Sequence, residues 1–520
     1  MRLLRGGSCD FAQDDSHGAG LYSPPMDANE NERDAPWPVL IIGAGFGGLG
    51  MAIALALAGE HDVLLLEKAA DVGGVWRENT YPGAACDVPS HLYSFSFEPN
   101  PHWTRTFSPQ PEILAYLGHC ADKYGVRDKI RFGCEVTSAA FDEATSLWRV
   151  EWRDAQGRAH AGRARALVSA VGLLSRPALP AVRGLDTFEG PIFHSAQWRH
   201  DVDLQGKRVA VIGTGASAIQ FVPQVAKQAA RLSVFQRTPS YILPRQDRAY
   251  ADQERRRFAR WPWLMAAHRA LLYAAHDSRA VGFTRLRGLM KIVGGIPARR
   301  HLERQVPDAA LRERMTPRYP IGCKRILVSD DWLPTFSRPN VELVTDAIAE
   351  VTSTGLRTAD GQQRDVDAII LGTGFAASEF LAPMTIRGRG GVALNDAWRD
   401  GAKAWLGITV PGFPNFFMLY GPNTNLGHNS IVFMLECQVA HVMRCLRRLR
   451  ESGGSSIEVT TPPFERYNAQ LQQRTQQTVF AGCTSWYVDA HGRHTVNWPG
   501  FTTTYRWLTR HAGLGAYDVR

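Results

Sequence analysis

Residues 38–67 read PVLIIGAGFGGLGMAIALALAGEHDVLLLE, and this stretch decides the fold. Residues 38–43 are apolar and end in glycine, which predicts a buried β-strand. Glycines then form a turn, residues 49–58 predict a helix, and residues 62–66 predict a second strand that ends at Glu67. This order of strand, glycine turn, helix and strand is a βαβ unit.

The glycines of the turn follow the pattern Gly43-x-Gly45-x-x-Gly48. The first glycine permits a tight turn, the second lets the backbone approach a pyrophosphate, and the third lets helix and strand pack closely. The helix N-terminus adds unpaired N–H groups and the positive end of its dipole. Glu67 lies 19 residues beyond Gly48, where an acid accepts hydrogen bonds from ribose hydroxyls. We therefore predict a dinucleotide site at this turn.

The same order of elements returns in residues 208–236. RVAVIG predicts a strand, residues 216–229 predict a helix, and LSVFQ predicts the next strand. The turn between them reads Gly213-x-Gly215-x-x-Ala218, with alanine tolerated at the third position. The chain thus contains a second predicted dinucleotide site.

One residue distinguishes the second site from the first. Arg237 stands 19 residues beyond Ala218, where the first unit has Glu67. An acid would repel a 2′-phosphate, whereas a guanidinium pairs with it bidentately, and Thr238 adds a hydroxyl contact. The second site is therefore predicted to prefer NADPH over NADH. The alternative interpretation is that Arg237 is an ordinary surface arginine.

Residues 249–315 differ from the rest of the chain. They contain few strand signals and many Arg and Ala residues, which predicts an inserted helical lobe. Its apolar residues at helical spacings are Trp261, Trp263, Leu264, Leu271, Leu272 and Tyr273. A solvated lobe packed on the core is one interpretation, and a basic amphipathic surface that contacts a membrane is the other.

Strand signals resume at residues 341–345 and 366–371, and a long helix is predicted at 430–450. The predicted fold class is α/β, with two Rossmann-like dinucleotide-binding domains and an inserted helical lobe.

The composition excludes several kinds of partner. The net charge of +9 is spread over 520 residues, and no basic run is interleaved with aromatic residues, so we predict no nucleic-acid groove. The apolar stretch from Val39 to Gly59 is interrupted by glycines, so we predict no membrane span. No Cys/His cluster has the spacing of a metal site.

The eight cysteines form no CxxC pair, and the N-terminus has no apolar export signal. We therefore expect free thiols in the reducing environment of the cytoplasm. Residues 1–35 are rich in Gly, Ser, Asp and Asn and predict a disordered leader.

Several segments resemble one family over nearly the whole chain from about residue 37. They are GAGFGG (43–48), the segment 67–97, GTGASA (213–218), QRTP (236–239), GCKRILVSDD (322–331) and GTGFAA (372–377). Between the two units lies Phe188-x-Gly190-x-x-x-His194-x-x-x-Trp198, which is similar to the family's signature. The chain resembles the flavin-containing monooxygenases of the Baeyer–Villiger type.

The resemblance implies FAD at the first site and NADPH at the second. It assigns FAD contacts to Lys68, Gly73, Gly74, Val75, Trp76, Asp87 and Tyr93. It assigns NADPH contacts to Thr214, Ala216, Ser217 and Lys324, beside the glycine turn and Arg237. The implied domains are an FAD domain (36–175 and 376–520), an NADPH domain (176–240 and 320–375) and the helical insertion (241–319).

The family reaction passes a hydride from NADPH to FAD, captures oxygen as a flavin peroxide, and inserts one oxygen atom of O2 into a ketone to give an ester or lactone. The attacking peroxide is an anion in a site that excludes water, so it needs a fixed cation. Arg325 matches the family's arginine over the flavin and suits this role, because it stays protonated and donates directed hydrogen bonds. Asp87 would orient it. A structural ion pair is the alternative.

Other interpretations stay open at this point. Arg199 stands where the family usually has proline or aspartate, which leaves room for an N- or S-oxygenating enzyme that acts on amines or sulfides. His194 is expected to be a structural interdomain residue rather than a catalyst. A flavin disulfide reductase would need a partner for Cys86, and the next cysteine is Cys120. A non-enzymatic NADPH-binding sensor is disfavoured by Lys324 and Arg325.

The substrate pocket is predicted to involve residues 421–430 and the aromatic residues of the C-terminal segment, although such aromatics are as often core residues as ligand contacts. The aromatic residues are Trp486, Tyr487, Trp498, Phe501 and Tyr505. A monomer or weak homo-oligomer is expected.

Overall fold

The computed structural model describes Arg33 and residues 35–520, apart from residues 285, 484, 490 and 512. The predicted disordered leader, residues 1–35, therefore lies almost entirely outside the described residues. Two largely separate β-sheets, one of eight strands and one of five, organise the described part of the chain.

The strands, in chain order, are β1 (Trp37–Ile42), β2 (Val63–Leu66), β3 (Ile130–Arg131), β4 (Glu135–Asp142), β5 (Leu147–Arg153), β6 (Ala159–Ser169), β7 (Ile192–His194), β8 (Arg208–Ile212), β9 (Arg231–Phe235), β10 (Ile242–Leu243), β11 (Leu327–Val328), β12 (Val341–Val344), β13 (Ile348–Thr352), β14 (Gly355–Thr358), β15 (Gln363–Asp365), β16 (Ala368–Leu371), β17 (Thr385–Arg387), β18 (Phe416–Met418), β19 (Ile457–Val459) and β20 (Tyr517–Val519).

The α-helices are α1 (Phe46–Leu57), α2 (Val75–Glu78), α3 (Gln110–Lys123), α4 (Ala218–Val225), α5 (Asp252–Arg260), α6 (Pro262–Ser278), α7 (Ala280–Phe283), α8 (Arg287–Met290), α9 (Ile296–Gln305), α10 (Ala309–Arg314), α11 (Trp332–Thr335), α12 (Leu394–Ala397), α13 (Ile431–Glu451), α14 (Thr461–Gln476) and α15 (Thr502–His511).

The first sheet has the order β17-β4-β5-β6-β1-β2-β3, and β18 pairs with β6. β1 runs parallel to β2 and to β6, with Val39 opposite Val63 on one side and Ala166 on the other. Alternate residues of β1 enter two different cores, Ile41 on one face and Leu40 on the other, because both faces are covered. β1, α1 and β2 confirm the first predicted βαβ unit.

The second sheet has the order β12-β9-β8-β16-β7, and all of its neighbouring strands are parallel. The predicted strands at 208–213, 232–236, 341–345 and 366–371 are confirmed as β8, β9, β12 and β16. The predicted helix at 216–229 is shorter, because α4 ends at Val225. The predicted α/β fold class is confirmed.

The helical lobe contains α5 to α10 and lies between β10 and β11. These two strands pair in parallel, with Ile242 opposite Leu327, so the insertion leaves and rejoins the body at one place. The long helix predicted at 430–450 is α13. No helix in the described part of the chain is long and apolar enough to cross a membrane.

One expectation about the cysteines is wrong. Cys323 and Cys483 form a disulfide, with Cα atoms 5.9 Å apart and a sequence separation of 160 positions. Tertiary packing creates this contact, and no sequence spacing indicates it. The other described cysteines are buried free thiols, namely Cys86, Cys120, Cys134, Cys437 and Cys445.

Candidate active site

The first glycine turn leaves no room for side chains. Gly43 has a φ of 98°, and a Cβ there would lie 2.9 Å from the carbonyl oxygen of Ala170. A Cβ on Gly48 would overlap the carbonyl oxygen of Gly43. α1 begins at Phe46, so its free N–H groups open at this turn. Bare backbone beside a helix N-terminus fits a pyrophosphate.

The predicted second loop of this site packs directly on the turn. Gly74 has a φ of 54°, and a Cβ there would lie 3.2 Å from the Cα of Gly45. Val75 begins α2. The indole N–H of Trp76 donates to the hydroxyl of Tyr93 at 3.1 Å, and the two rings meet edge to face. The structure therefore brings these predicted residues together beside the first turn.

Glu67 is buried at the end of β2. One carboxylate oxygen accepts from the backbone N–H of Ala44 at 2.7 Å, and the other accepts from Ala69 at 2.8 Å. Each oxygen has a further lone pair that can accept a ribose hydroxyl. The neighbouring Lys68 is half exposed and lies 3.7 Å from the carboxylate of Glu78. The glycine turn itself thus fixes the acid at the predicted place.

The second turn repeats the geometry of the first. Gly213 has a φ of 110°, and a Cβ there would overlap the carbonyl oxygen of Gly372. A Cβ on Gly215 would meet open space. The hydroxyl of Thr214 donates to the carbonyl oxygen of Thr238 at 3.5 Å. The remaining predicted residues of the turn are Ala216, which is exposed, Ser217, which is half-buried, and Ala218, which is buried where α4 begins.

Two cations act on each other beside the second unit. Arg237 is exposed and follows the end of β9. Burial and the charge of Arg237 together lower the pKa of Lys324. The Lys324 ammonium lies 5.0 Å from the ring centre of Tyr319. Because two neighbouring cations repel, this arrangement suits an anionic ligand such as a phosphate.

Arg325 and Asp87 form an ion pair between Nη2 and Oδ2. The side chains are 28% and 29% exposed, so the pair is partly desolvated. The negative charge of Asp87 raises the pKa of Arg325 above its ordinary value. Tyr420 and Tyr487 act on Arg325 electrostatically, and burial raises the pKa of both phenols. The guanidinium therefore stays charged, with one anionic partner, Asp87, and two neutral phenols near it.

The loop that carries Arg325 is tethered on both sides. The disulfide holds it at Cys323. On the other side, the carboxylate of Asp330 accepts from the backbone N–H of Arg245 at 2.9 Å. The Arg245 guanidinium donates to the carbonyl oxygen of Cys86, the residue before Asp87, at 3.0 Å. These contacts fix both partners of the ion pair relative to each other.

Gln220 connects α4 to the loop that carries Asp87. Its Nε2 donates to the carbonyl oxygen of Ala85 at 3.0 Å, and its Oε1 accepts from the hydroxyl of Tyr81 at 3.0 Å. Burial raises the pKa of Tyr81 to about 12, so this phenol is a neutral donor. The sequence analysis did not single out Gln220. The one feature that could have indicated it is an amide side chain in the first turn of the helix of the second βαβ unit.

His194 lies at the end of β7 and is buried. Its Nδ1 accepts from the backbone N–H of Ala196 at 3.1 Å, its ring packs edge to face on Phe375, and burial lowers its pKa. This placement supports the structural role expected for it. Arg199 pairs with Asp201 at the surface.

The aromatic residues predicted near the pocket separate into two groups. Tyr487 acts electrostatically on Arg325, and Trp486 packs against Tyr487 with ring centres 4.4 Å apart. Trp498 and Tyr505 are buried and pack edge to face at 5.1 Å, which is typical of core residues. Sequence reasoning also missed Tyr420, whose hydroxyl donates to an amide in the predicted segment 421–430.

Comparison with known proteins identifies the family. The family model described as flavin-binding monooxygenase-like matches residues 37–257. A Baeyer–Villiger monooxygenase from Pseudomonas aeruginosa is 49% identical over 484 residues, which cover 92% of this chain and 91% of that protein. The chain belongs to the Baeyer–Villiger monooxygenases. The family predicted from the sequence is therefore confirmed.

Solved structures of this family share the fold. An oxidized steroid monooxygenase bound to NADP has a TM-score of 0.81 and 33% identity, and the match covers 93% of this chain and 99% of that chain. OTEMO in complex with FAD and NADP also has a TM-score of 0.81, with 28% identity and the same coverage.

Proposed function

We propose that this Baeyer–Villiger family member uses FAD and NADPH to insert one oxygen atom of O2 into a ketone. The balanced reaction converts ketone, O2, NADPH and a proton into an ester or lactone, water and NADP⁺. The observation that carries the proposal is the ion pair of Arg325 and Asp87, which places a permanent cation among neutral phenols. Ketone oxidation needs such a cation because negative charge develops on oxygen as the carbonyl is attacked.

We assign FAD to the first glycine turn and NADPH to the second. The bare turn at Gly43 and Gly48, with α1 behind it, fits the pyrophosphate of one dinucleotide. Glu67 would accept from its ribose, and Trp76 and Tyr93 would contact the flavin. The corresponding domains are residues 36–175 with 376–520 for FAD and 176–240 with 320–375 for NADPH, with 241–319 as the helical insertion.

The second turn binds the phosphorylated dinucleotide in this proposal. Gly213 and Gly215 leave the backbone open to the pyrophosphate, with Thr214, Ser217 and the N–H groups of α4 around it. Arg237 and Lys324 would share the 2′-phosphate, which relieves their mutual repulsion.

FAD, when bound, supplies the two-electron chemistry that activates O2. Arg325 stabilises the negative charge that develops on the attacking oxygen and then on the carbonyl oxygen of the ketone. Asp87 holds Arg325 in place and keeps it protonated. Tyr420 and Tyr487, which burial keeps neutral, act on the guanidinium electrostatically and provide no second full negative charge beside it. Arg199, the departure from the family signature, lies in a surface pair with Asp201.

The test is a panel of cyclic, linear and aromatic ketones and of sulfides, with NADPH consumption and product mass measured together. Esters or lactones that contain one oxygen atom from labelled O2, in proportion to NADPH consumed, are the expected result. Turnover of sulfides with no ester from any ketone would refute the proposal in favour of heteroatom oxygenation.

We further propose that the enzyme works in the cytoplasm, where NADPH is regenerated, as a monomer or weak homo-oligomer. Burial of Cys323 would shield the disulfide from reductants there.

A further inference from the structure

The helical lobe carries nearly all of the net positive charge of the chain. Residues 252–304 contain twelve Lys and Arg against four Asp and Glu, a balance of +8, while the whole chain has +9. From Arg255 to Leu302 the sequence contains one acid, Asp277, and its side chain is buried. The charged surface of this stretch is therefore cationic.

The same lobe exposes most of the large apolar side chains that face solvent. Among the described residues, thirteen large hydrophobic side chains are exposed, and seven of them lie between residues 261 and 296. They include Trp261, Trp263, Leu271, Ile292 and Val293. Exposed apolar residues are ordinary when they are scattered singly, but a concentration in one lobe indicates an interaction surface.

One face of α6 is both exposed and uncharged. Trp263 and Leu271 lie two turns apart on it and are 69% and 71% exposed. The other apolar residues of this face are Ala266, Ala267, Ala270, Ala274 and Ala275, and all of them are exposed. A helix on the surface of a soluble protein normally carries charged or polar residues on its solvent side. This face therefore lacks the composition of a simple solvated surface.

The opposite face of α6 anchors the lobe to the body. The Arg269 guanidinium donates to the carbonyl oxygen of His91 at 2.6 Å and to the hydroxyl of Ser94 at 2.8 Å. Near the end of the helix, the carboxylate of Asp277 accepts from the backbone N–H of Thr502 at 2.7 Å, at the start of α15. Because these contacts fix the orientation of α6, its apolar face is held outward.

Cations adjoin the apolar residues in sequence. Arg256, Arg257 and Arg260 are exposed on α5, which ends where α6 begins. The Arg260 guanidinium lies 5.9 Å from the ring centre of Trp261. Within the described residues, no ion pair involves Arg256 or Arg257. Free arginines beside exposed tryptophan and leucine are typical of helices that lie in a membrane interface.

We propose that the exposed face of α6, with Trp263 and Leu271, binds the surface of a bilayer that contains acidic phospholipids, together with the exposed arginines Arg256 and Arg257 of the preceding helix α5. The apolar side chains enter the headgroup region, and the arginines pair with lipid phosphates and carboxylates. A second copy of the chain is the less suitable occupant, because two strongly cationic faces repel each other. The proposal does not depend on the proposed reaction.

The test is co-sedimentation of the full chain with vesicles of equal amounts of phosphatidylserine and phosphatidylcholine, and with vesicles of phosphatidylcholine alone. We expect binding to the acidic vesicles that weakens as salt is raised. Each cation near an acidic surface contributes about fivefold in affinity, so Arg256→Gln/Arg257→Gln should bind about twenty-five-fold more weakly. Trp263→Ser/Leu271→Ser should lower binding at least tenfold, since both residues lose buried apolar area.

Matched control variants are available on other helices. Trp507 on α15 is 60% exposed, so Trp507→Ser removes a comparably exposed tryptophan. Arg447 and Arg448 are adjacent exposed arginines on α13, so Arg447→Gln/Arg448→Gln removes the same charge elsewhere. Both controls should retain vesicle binding.

Binding that only the lobe variants lose would support the proposal. Failure of the full chain to bind acidic vesicles, equal binding to phosphatidylcholine alone, or equal losses in the control variants would overturn it. A concentration-dependent dimer that Trp263→Ser/Leu271→Ser dissociates, without vesicle binding, would assign the face to a second copy. Unchanged melting temperatures in all four variants would show that their folds are intact.

Discussion

Replacing Arg325 with alanine tests the electrostatic part of the proposed reaction. The loss of one preorganised donor to a developing oxyanion typically lowers kcat by about 10²–10³, or roughly 2.7–4 kcal/mol. The Arg325 side chain is 28% exposed, and solvent weakens its effect, so we expect the lower end, about a hundredfold. Arg325→Lys keeps the charge but loses the fork of N–H groups, and it should lose about tenfold.

The assay measures ester formation and NADPH consumption in parallel. Arg325→Ala should slow ester formation much more than NADPH consumption, so the yield of ester per NADPH falls. Arg389 provides a matched control, because it pairs with Glu458 and is similarly exposed at 24%. Arg389→Ala should keep the parental yield, and flavin absorbance should be unchanged in both variants.

A double-mutant cycle separates positioning from direct catalysis. If Asp87 acts through Arg325, then Asp87→Asn should cost less than Arg325→Ala, and the double variant should be no slower than Arg325→Ala alone. Additive losses would show that Asp87 has a separate role. Parental ketone turnover by Arg325→Ala would refute the reasoning, because no fixed cation would then be needed.

The remaining predictions concern cofactor choice, packing, pH and covalent structure. Arg237→Ala should raise the KM for NADPH at least tenfold and leave the KM for NADH nearly unchanged, because it removes a bidentate phosphate contact. Gly48→Ala should yield protein without bound flavin, measured by absorbance, since its Cβ would overlap a carbonyl oxygen of the turn. Burial lowers the pKa of His91 to about 3 from an ordinary 6.5. Between these two pH values the unfolded state binds one more proton at His91 than the folded state does, so the free energy of unfolding falls as the pH falls. The loss approaches about 1.4 kcal/mol per pH unit below 6.5, and His91→Phe should reduce it in denaturant titrations. The denatured, unreduced chain should alkylate at six of its eight cysteines, because Cys323 and Cys483 are paired.

Each of these predictions has a control or an opposing result. Gly118→Ala places a methyl group on α3 at ordinary contact distance and should retain flavin. His102 lies on the surface, so His102→Gln removes a histidine outside the core and is the control for His91→Phe. An unchanged NADPH preference in Arg237→Ala would contradict the phosphate assignment. Alkylation of all eight cysteines before reduction would contradict the disulfide.

The sequence predicted the parts of the fold that depend on local pattern. Both βαβ units could be predicted from the sequence, because backbone sterics demand glycine in their turns. A Cβ would have no room at Gly43 or at Gly213. The antiparallel strands β4 to β6 were not predicted, although β5 reads LWRVEWR and alternates between buried and less buried residues. That alternation was a usable signal.

The contacts around the candidate site were predictable only in part. Asp87 and Arg325 were paired on the strength of the resemblance, although 238 residues separate them. Tyr420, Gln220 and the Cys323–Cys483 disulfide depend on how distant loops meet, and a sequence pattern does not specify that meeting. Such contacts become visible when the two sheets and the lobe are in place.

The position of Arg325 depends on both nucleotide units at once. Its own loop is fixed by the disulfide and by Asp330, while its partner Asp87 belongs to the loop that Gln220 holds from α4. α4 begins at the second glycine turn, and the loop with Asp87 follows the first. A shift of either unit would therefore change the distance between the cation and its counter-charge. This coupling explains why a partly exposed ion pair can act as a defined electrostatic group. Its geometry is set by the disulfide and by the hydrogen bonds of Asp330 and Gln220, and it does not rely on the weak attraction of the pair itself.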